Sequence, residues 1–195
     1  MIAYIDGKLA FKDPTYVVID VQGVGYLIKI PLSTYGQLKD GERCKLYTHL
    51  SIKEDSHTLY GFSELAERDL FLHFISVSGV GPSIALMMLS SLTVPELQQA
   101  IAREDVRTIQ AVKGIGAKTA QRIILELRDK IKKGAMMETA GLTPVAYNTN
   151  REEALSALVT LGFAKSAAEK TLDQIIKKEG DGLSVEKLIK LVLKS

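Results

Sequence analysis

A short stretch with two glycines carries the clearest chemistry in the sequence. Residues 113–122 read KGIGAKTAQR, so Gly114 and Gly116 precede a helix-like run whose first turn holds Lys118 and Thr119. Glycines permit backbone angles closed to other residues and let another molecule's backbone approach without intervening Cβ atoms. The free N–H groups at a helix start, together with the helix dipole, favour an anion. The stretch therefore predicts a phosphate-binding turn, and the phosphate belongs either to a nucleotide or to a nucleic-acid backbone.

The same pattern occurs a second time upstream. SVSGVGPSIALMMLSSL at 76–92 aligns without a gap on AVKGIGAKTAQRIILEL at 111–127, with a constant offset of 35 residues. Both copies read apolar–x–Gly–apolar–Gly and continue into a helical run with a small residue. The equivalent positions are Gly79 and Gly114, Gly81 and Gly116, and Ser83 and Lys118. Such a repeat indicates an internal duplication, and we expect the apolar residue between the glycines to point into the core.

Neither copy matches a nucleotide-binding motif. A G-x-x-x-x-G-K-[ST] loop places glycine directly before lysine, whereas Ala117 separates Gly116 from Lys118 here. The preceding VRTIQAV indicates a short helix rather than a buried strand, and no G-x-G-x-x-G fingerprint is present. The sequence therefore favours a nucleic-acid backbone as the ligand.

The region around the second copy is strongly basic. Between residues 113 and 133, seven basic residues stand against Glu126 and Asp129, although the whole chain has a net charge of only +2. A focused positive field of this kind is typical of a nucleic-acid contact, and a turn that reads no base should bind any sequence. The alternative is a helix hairpin with a solvated basic face. The basic residues are Lys113, Lys118, Arg122, Arg128, Lys130, Lys132 and Lys133.

The remaining composition is that of an ordinary globular protein, with 46% apolar and 25% charged residues. The single cysteine, Cys44, excludes an internal disulfide and fits a reducing compartment. MIAYID at the N-terminus lacks a long apolar core, so we expect no signal peptide and a cytoplasmic protein. We expect no cofactor and no metal site, because His49, His57 and His73 show no ligand spacing.

One uncharged run has the length of a membrane span. Residues 70–95, 26 residues in all, contain no Asp, Glu, Lys or Arg. Gly79, Gly81 and Pro82 interrupt the run, and His73 and several serines lie within it. Two buried helices joined by a tight turn explain these residues without placing polar groups in lipid, and we prefer that interpretation.

The spacing of apolar residues changes along the chain, and these changes predict the strands and helices that must position the two turns. Residues 1–62 carry short β-branched and aromatic runs, which predict five strands with a helical turn at 31–38. This order is that of a small OB-like β-barrel, and Gly23 and Gly25 are interpreted as hairpin residues. The predicted strands cover Ile2–Leu9, 16–22, 25–30, Lys45–Ile52 and Thr58–Phe62.

The rest of the chain has helical period, so the fold class is multidomain α+β. Residues 63–134 form a central all-α domain, in which we predict Ser63 as a cap with Leu65, Leu70 and Phe74 in the core. Its last helix is predicted from about Ala117 to Lys132. Thr93 and Glu96 have capping-box spacing.

The C-terminal third is predicted to be a tethered helical unit. Residues 135–149 show no period and predict a flexible linker. Residues 150–195 predict three short helices, which begin near the Thr149–Glu152 capping box, near Ser166 and after Ser184.

This order of parts resembles the RuvA family of bacterial proteins that recognise Holliday junctions for branch migration. VQGVGY at 21–26 and LYGF at 59–62, the tandem helix-hairpin-helix repeat, the linker and the small, UBA-like helical domain all contribute to the resemblance. It covers essentially the whole chain. It implies a homotetramer, one or two per junction, that holds a four-way DNA junction open in homologous recombination, DNA repair and the SOS response.

The resemblance also implies roles for individual residues. Backbone N–H groups of Gly79, Gly81, Gly114 and Gly116 would face phosphates, Lys118, Thr119 and Arg122 would support the second site, and Ser83 the first. Glu54 and Asp55, between the last two strands, match an acidic pin that repels phosphates at the junction centre, and Lys53 would weaken its field. From the residues alone, the acidic pair is better explained as a solvated turn, and the resemblance reverses that preference.

The partners implied by the resemblance are the ATPase RuvB, engaged through residues 150–195, and the junction resolvase RuvC. The chain itself would then be the non-catalytic subunit of an ATP-dependent branch-migration complex. The alternative is a helix-hairpin-helix enzyme acting on DNA, either a glycosylase or a nuclease. Asp129 is the only Asp in the helix after the second turn, and Glu54–Asp55 alone makes a poor metal site. A purely protein-binding adaptor is a third class, which the basic turn region disfavours.

Overall fold

Short runs of alternating inward and outward residues form five strands that close into a barrel. The computed structural model describes residues 1–139, 146–180 and 182–194. The order around the barrel is β1-β2-β3-β5-β4, with β3 and β5 parallel and the other neighbours antiparallel. The strands are β1 (Tyr4–Lys12), β2 (Tyr16–Val21), β3 (Val24–Lys29), β4 (Arg43–Ile52) and β5 (His57–Phe62). The predicted OB-like barrel is confirmed, and closure removes free sheet edges.

The barrel is filled by aliphatic side chains from alternate positions, which follows from the two-residue period of a strand. The buried set includes Ile5, Leu9, Val17, Ile19, Ile28 and Leu46. The β2–β3 hairpin turns at Gln22 and Gly23, which have φ of 53° and 91°, while Val21 pairs with Val24. Two positive-φ residues between strands are typical of a tight hairpin turn. Gly23 occupies the turn as predicted, whereas Gly25 lies within β3, paired with Asp20.

Six helices belong to the same compact unit, which spans Met1–Met137. They are α1 (Leu32–Gln37), α2 (Leu65–Ile75), α3 (Pro82–Ser91), α4 (Val94–Ala102), α5 (Val106–Gln110) and α6 (Ala117–Thr139). Thr93 and Glu96 form the predicted capping box at the start of α4. The uncharged run is divided among α2, α3 and α4, and no helix in the described ranges is long and apolar enough to cross a membrane.

Two expectations for the start of α2 are wrong. Ser63 is not its cap, because Glu64 occupies the N-cap position and the Ser63 hydroxyl donates to the Glu67 carboxylate instead. Leu65 is 46% exposed, whereas Leu70 and Phe74 are buried as expected. Leu65 precedes Phe74 by nine residues, about two and a half turns at 100° per residue, so the two side chains lie on opposite faces of α2.

The end of β5 belongs to the hydrophobic core of the helices. Tyr60 and Phe62, from the end of β5, are buried together with Leu70, Phe71 and Phe74 of α2. The Phe71 ring lies 4.9 Å from the Phe62 ring and 5.2 Å from the Tyr60 ring. The functional division between residues 1–62 and 63–134 remains a prediction, because these segments form one packed unit.

The second compact unit, Glu138–Ser195, contains three helices around a small apolar core. They are α7 (Ala146–Thr160), α8 (Lys165–Glu179) and α9 (Val185–Val192). Ser184 caps α9 as predicted, accepting from the Lys187 N–H. Gly162 and Gly180, with φ of 97° and 89°, follow α7 and α8, where a left-handed residue commonly ends a helix.

The linker expected at 135–149 is partly helical. Residues 135–139 continue α6 beyond the predicted end at Lys132, and α7 begins at Ala146 rather than near Thr149. Propagating an existing helix costs far less than nucleating a new one, and Ala, Met and Glu at 135–138 are good helix formers. The centre of the expected linker, residues 140–145, lies outside the described residues.

Candidate nucleic-acid interface

The two glycine turns have the same backbone geometry. In the first turn, the Val80 N–H donates to the Val77 carbonyl at 3.0 Å, and Gly79 has a φ of 89°. In the second turn, the Ile115 N–H donates to the Val112 carbonyl at 3.2 Å, and Gly114 has a φ of 90°. The first glycine of each pair therefore occupies the left-handed region, which favours glycine. The repeat seen in the sequence is also a repeat of backbone conformation.

Buried apolar side chains attach each turn to the hydrophobic core. Val77 and Val80 are buried in the first turn, as are Val112 and Ile115 in the second. Ala85 and Ala120, the small residues of the following helices, have no exposed surface. The apolar residue between the glycines thus points into the core as predicted, which leaves the glycine backbone on the outer side.

The space in front of the glycines is open. A Cβ atom built on Gly79, Gly81, Gly114 or Gly116 would meet no atom within 4 Å. Gly81 is the N-cap of α3, and no side chain caps that helix, so its first N–H groups lack an intrahelical partner. Since Pro82 is the first residue of α3 and has no N–H, the second turn has one donor more than the first. An oxyanion fits the space in front of both turns.

The side chains predicted to support the turns lie at the expected places. Lys118 is exposed in the first turn of α6, Ser83 lies in the first turn of α3, and Thr119 follows Lys118. Among the described side chains, no carboxylate lies within ion-pair distance of Lys118. The Lys118 ammonium is therefore available to a phosphate.

Arg122 connects the two turns. Its guanidinium Nη1 donates to the Ser78 carbonyl at 3.2 Å, in the first turn, although Arg122 belongs to the helix of the second. Its Nε lies 3.9 Å from the Glu126 carboxylate. The sequence predicts Arg122 as a support for the second site, and it gives no sign of the bond to the first turn, because the two residues are 44 positions apart.

Part of the basic stretch is neutralised. The Arg128 guanidinium lies 2.5 Å from the Glu104 carboxylate and 3.3 Å from that of Asp129, and these acids raise its pKa. The sequence count of seven basic residues does not reveal the pairing with Glu104. Arg128 is therefore a weaker candidate for a phosphate contact than Lys118.

Asp105 is a positioning residue that the sequence reasoning missed. Its carboxylate caps α5, the helix before the second turn, by accepting from the Arg107 and Thr108 N–H groups. The Thr108 hydroxyl donates to the same carboxylate at 2.7 Å, and these hydrogen bonds lower the Asp105 pKa. An Asp directly before a short helical run was the available sequence signal.

The acidic pair lies at the tip of the β4–β5 hairpin. The Lys53 N–H donates to the Ser56 carbonyl at 2.8 Å, and the Ser56 N–H donates back to the Lys53 carbonyl. This pairing leaves Glu54 and Asp55 as a two-residue turn, with all four side chains exposed. The hairpin holds two carboxylates away from the barrel core.

The histidines form no metal site in the described part of the chain, where no group of three His, Cys, Asp or Glu residues could hold an ion. His49 lies against Tyr60 and Phe71, and burial lowers its pKa. Burial lowers the pKa of His73 as well, assisted by the charge of Lys130.

Three family models together match most of the chain. Residues 1–61 match the RuvA N terminal domain, residues 71–129 match a SAM-like helix-hairpin-helix tandem, and residues 149–195 match the RuvA C-terminal domain. The helix-hairpin-helix match includes both glycine turns.

Curated proteins resemble the chain over its full length. A protein from Cytophaga hutchinsonii, named Holliday junction branch migration complex subunit RuvA, is 58% identical, covering 100% of this chain and 99% of its own. Proteins of the same name from Christiangramia forsetii and Amoebophilus asiaticus are 53% and 50% identical, covering 100% of this chain and 99% and 100% of their own.

Proposed function

The chain belongs to the RuvA family, and from this premise we propose that it binds four-way DNA junctions without regard to sequence. Its curated relatives are named as subunits of the Holliday junction branch migration complex. We propose further that it holds the junction open and recruits the RuvB ATPase for branch migration.

The repeated turn is the observation that carries this proposal. Each copy presents exposed backbone in front of which no protein atom lies, at a site where a helix begins. Backbone N–H groups in this arrangement donate to a phosphate oxygen irrespective of the base attached. Gly79 and Gly81 would hold one phosphate, and Gly114 and Gly116 the other. Ser83 would support the first contact, and Lys118, Thr119 and Arg122 the second.

The acidic hairpin would act by repulsion. Glu54 and Asp55 are exposed at a projecting tip, and like charges disfavour phosphates nearby. At the centre of a junction, such a tip would keep the strands apart as they exchange partners. Lys53, which is exposed next to the pair, would weaken this field.

The C-terminal unit would provide the contact with the RuvB ATPase. It is compact by itself, and a tethered module raises the effective concentration of any protein it binds. We propose that residues 150–195 contact RuvB and that the chain has no catalytic role of its own. Assembly as a homotetramer, one or two per junction, and an encounter with RuvC belong to the same proposal.

The test compares a four-way junction with linear duplex of equal length in a gel-shift titration. The wild-type protein should bind the junction more tightly. The double variant Gly81→Ala/Gly116→Ala should bind with roughly tenfold to hundredfold lower affinity, since a methyl group in front of each turn lengthens hydrogen bonds to charged phosphates. Neither position has a positive φ, so both accept alanine without backbone strain.

Gly182→Ala is the matched control, because Gly182 also has open space in front and no positive φ, and belongs to the second compact unit. It should bind like the wild type. Equal affinity for junction and duplex would contradict junction recognition. Magnesium-dependent cutting of the junction by the pure protein, abolished when Glu54 and Asp55 are replaced by amides, would favour the nuclease alternative.

A further inference from the structure

A buried carboxylate lies where the barrel meets the helices. Glu67, in α2, is only 6% exposed. Its Oε2 accepts from the Thr34 hydroxyl at 3.2 Å and from the Ser63 hydroxyl at 3.1 Å. The Ser63 N–H donates in turn to the Thr34 hydroxyl oxygen at 3.1 Å. Three hydrogen bonds thus form a closed ring that joins α1, the end of β5 and α2, and we call these three residues the joint.

The joint is an energetically unfavourable way to hold two parts together. Burying a carboxylate carries a large desolvation cost, and in the described residues no Lys, Arg or His forms an ion pair with Glu67. The nearby packing of Tyr60 and Phe62 against Phe71 already binds barrel to helices. Apolar packing has no preferred direction, whereas a hydrogen bond has a narrow range of lengths and angles. The ring therefore fixes the relative orientation of α1, the end of β5 and α2, in addition to holding them together.

A second polar contact ties α1 to the helix after the first glycine turn. The Leu32 N–H donates to the Ser90 hydroxyl oxygen at 2.9 Å, and that hydroxyl donates to the Leu86 carbonyl at 2.7 Å. Ser90 lies in α3, which follows the first turn, and Glu67 lies in α2, which precedes it. Helix α1 is thus fixed by directional bonds to both helices that flank the turn at 76–81.

The joint also lies at the base of the acidic hairpin. Ser63 directly follows β5, the strand that returns from Glu54 and Asp55. The ring therefore connects the element that would enter the junction centre with the element that would grip a phosphate.

We propose that Thr34, Ser63 and Glu67 are positioning residues that set the acidic hairpin relative to the glycine turns, and that this setting produces selectivity for junctions. The inference rests on the proposed function. A linear duplex can be held by the turns alone, whereas a four-way junction must satisfy the turns and the hairpin at once. Loosening the joint should therefore weaken junction binding and spare duplex binding.

The experiment measures junction and duplex affinities of the full-length protein at one salt concentration. Thr34→Val removes a hydroxyl at nearly constant volume, and with it two of the three ring hydrogen bonds, the one to Glu67 and the one from the Ser63 N–H. It should lower junction affinity about tenfold. Duplex affinity should stay within about twofold. Glu67→Gln retains an acceptor oxygen and should preserve most of the selectivity. Thr15→Val, which removes a hydroxyl bonded to exposed Asp13, is the control.

Urea unfolding separates positioning from stability. If Thr34→Val lowers the unfolding midpoint but leaves the junction-to-duplex affinity ratio at the wild-type value, the joint is structural only and the inference fails. A wild-type protein without junction preference would refute the proposed function itself, which is a distinct outcome. Should Thr34→Val not fold, Ser63→Ala and Thr34→Ser provide a graded pair: serine should retain the ratio and Ser63→Ala should reduce it.

A distance measurement tests the mechanism without DNA. With Cys44 replaced by serine, spin labels at positions 54 and 113 report the separation of hairpin and second turn. The distance distribution should broaden in Thr34→Val and stay narrow in Glu67→Gln. An unchanged distribution in Thr34→Val would overturn the proposal.

Discussion

Lys118 is the side chain whose contribution to binding is most readily isolated. It is exposed beside the open second turn, whereas Arg122 donates to the Ser78 carbonyl and Arg128 is paired with Glu104. The positive charges of α6 therefore differ in what they can offer a phosphate. At the proposed DNA interface Lys118 would interact through its ammonium alone, so its effect should be mainly electrostatic.

We expect Lys118→Ala to flatten the salt dependence of DNA binding. Each lysine–phosphate pair releases about one counterion from DNA, so removing one lysine should reduce the slope of log affinity against log salt by roughly one. The measurement is a duplex titration over a range of salt concentrations. Lys39→Ala removes the same charge from an exposed residue near Glu42, in the loop before β4, and its slope should match the wild type. Identical slopes for both variants would exclude Lys118 as a phosphate ligand.

The residue types and their spacing were enough to predict the turns, because their chemistry is local. Gly79 and Gly114 need a left-handed backbone, and the residues around them repeat at a fixed offset. The Arg122–Ser78 and Arg128–Glu104 contacts join residues 44 and 24 positions apart. Such pairs depend on the path of the chain in space, and no local pattern encodes them.

At the scale of elements, β5 depends on a glycine for its place in the barrel. A Cβ on Gly61 would lie 2.5 Å from Ile28 Cγ2 and 3.2 Å from Leu46 Cδ1, both fully buried. The position between Tyr60 and Phe62 must therefore have no side chain. Gly7 is constrained in the same way by the Asp20 carbonyl and its neighbours.

Gly61→Ala should destabilise the protein by about 1–3 kcal/mol, the usual cost of overpacking a filled core. Urea unfolding at neutral pH measures the change. Gly36→Ala, at an open helical position, should leave the free energy of unfolding unchanged or slightly higher. A Gly61→Ala protein as stable as the wild type would mean that Ile28 and Leu46 can move aside freely.

The spacing of apolar residues predicted correctly which segments are helices and which are strands. The errors occurred at the ends of these elements. The strands, the Thr93–Glu96 box and the helix before the second turn matched their patterns. Ser63 failed as a cap because its hydroxyl donates to the Glu67 carboxylate four positions on, while its N–H donates to the Thr34 hydroxyl oxygen, 29 positions back. A cap predicted from local sequence fails when the hydroxyl bonds to another side chain instead.

At the scale of the whole molecule, two histidines link stability to pH. Burial lowers the pKa of both His49 and His73, so the unfolded chain takes up protons at higher pH than the folded one. Their contribution to stability is complete above the unfolded pKa of 6.5 and is lost as pH falls through the lower folded pKa.

Acidification from about pH 7.5 to about pH 5.5 should therefore reduce the free energy of unfolding. The reduction should be smaller in the double variant His49→Gln/His73→Gln, measured by urea titration at each pH. Gly36→Ala, which removes no ionisable group, should keep the wild-type pH dependence. A double variant with the wild-type pH dependence would show that neither buried imidazole is responsible.

The order of domains was predictable from the sequence, whereas their packing was not. Changes in the spacing of apolar residues separated the barrel, the tandem repeat and the C-terminal helices. That spacing did not show that Tyr60 and Phe62 share a core with α2. Shared burial depends on side chains brought together only after both parts have folded. The extension of α6 past Lys132 was missed for a similar reason, since helix propagation does not require an apolar period.

The two glycines of each turn should respond differently to substitution. Gly79 and Gly114 are required by their own backbone, since their φ is near 90°, and most replacements there should reduce the amount of folded protein in a cell. Gly81 and Gly116 have no positive φ and empty space in front, so a replacement should leave a folded protein that binds poorly. In a library of random variants, the amount of folded protein should identify the first pair of glycines, and DNA binding should identify the second.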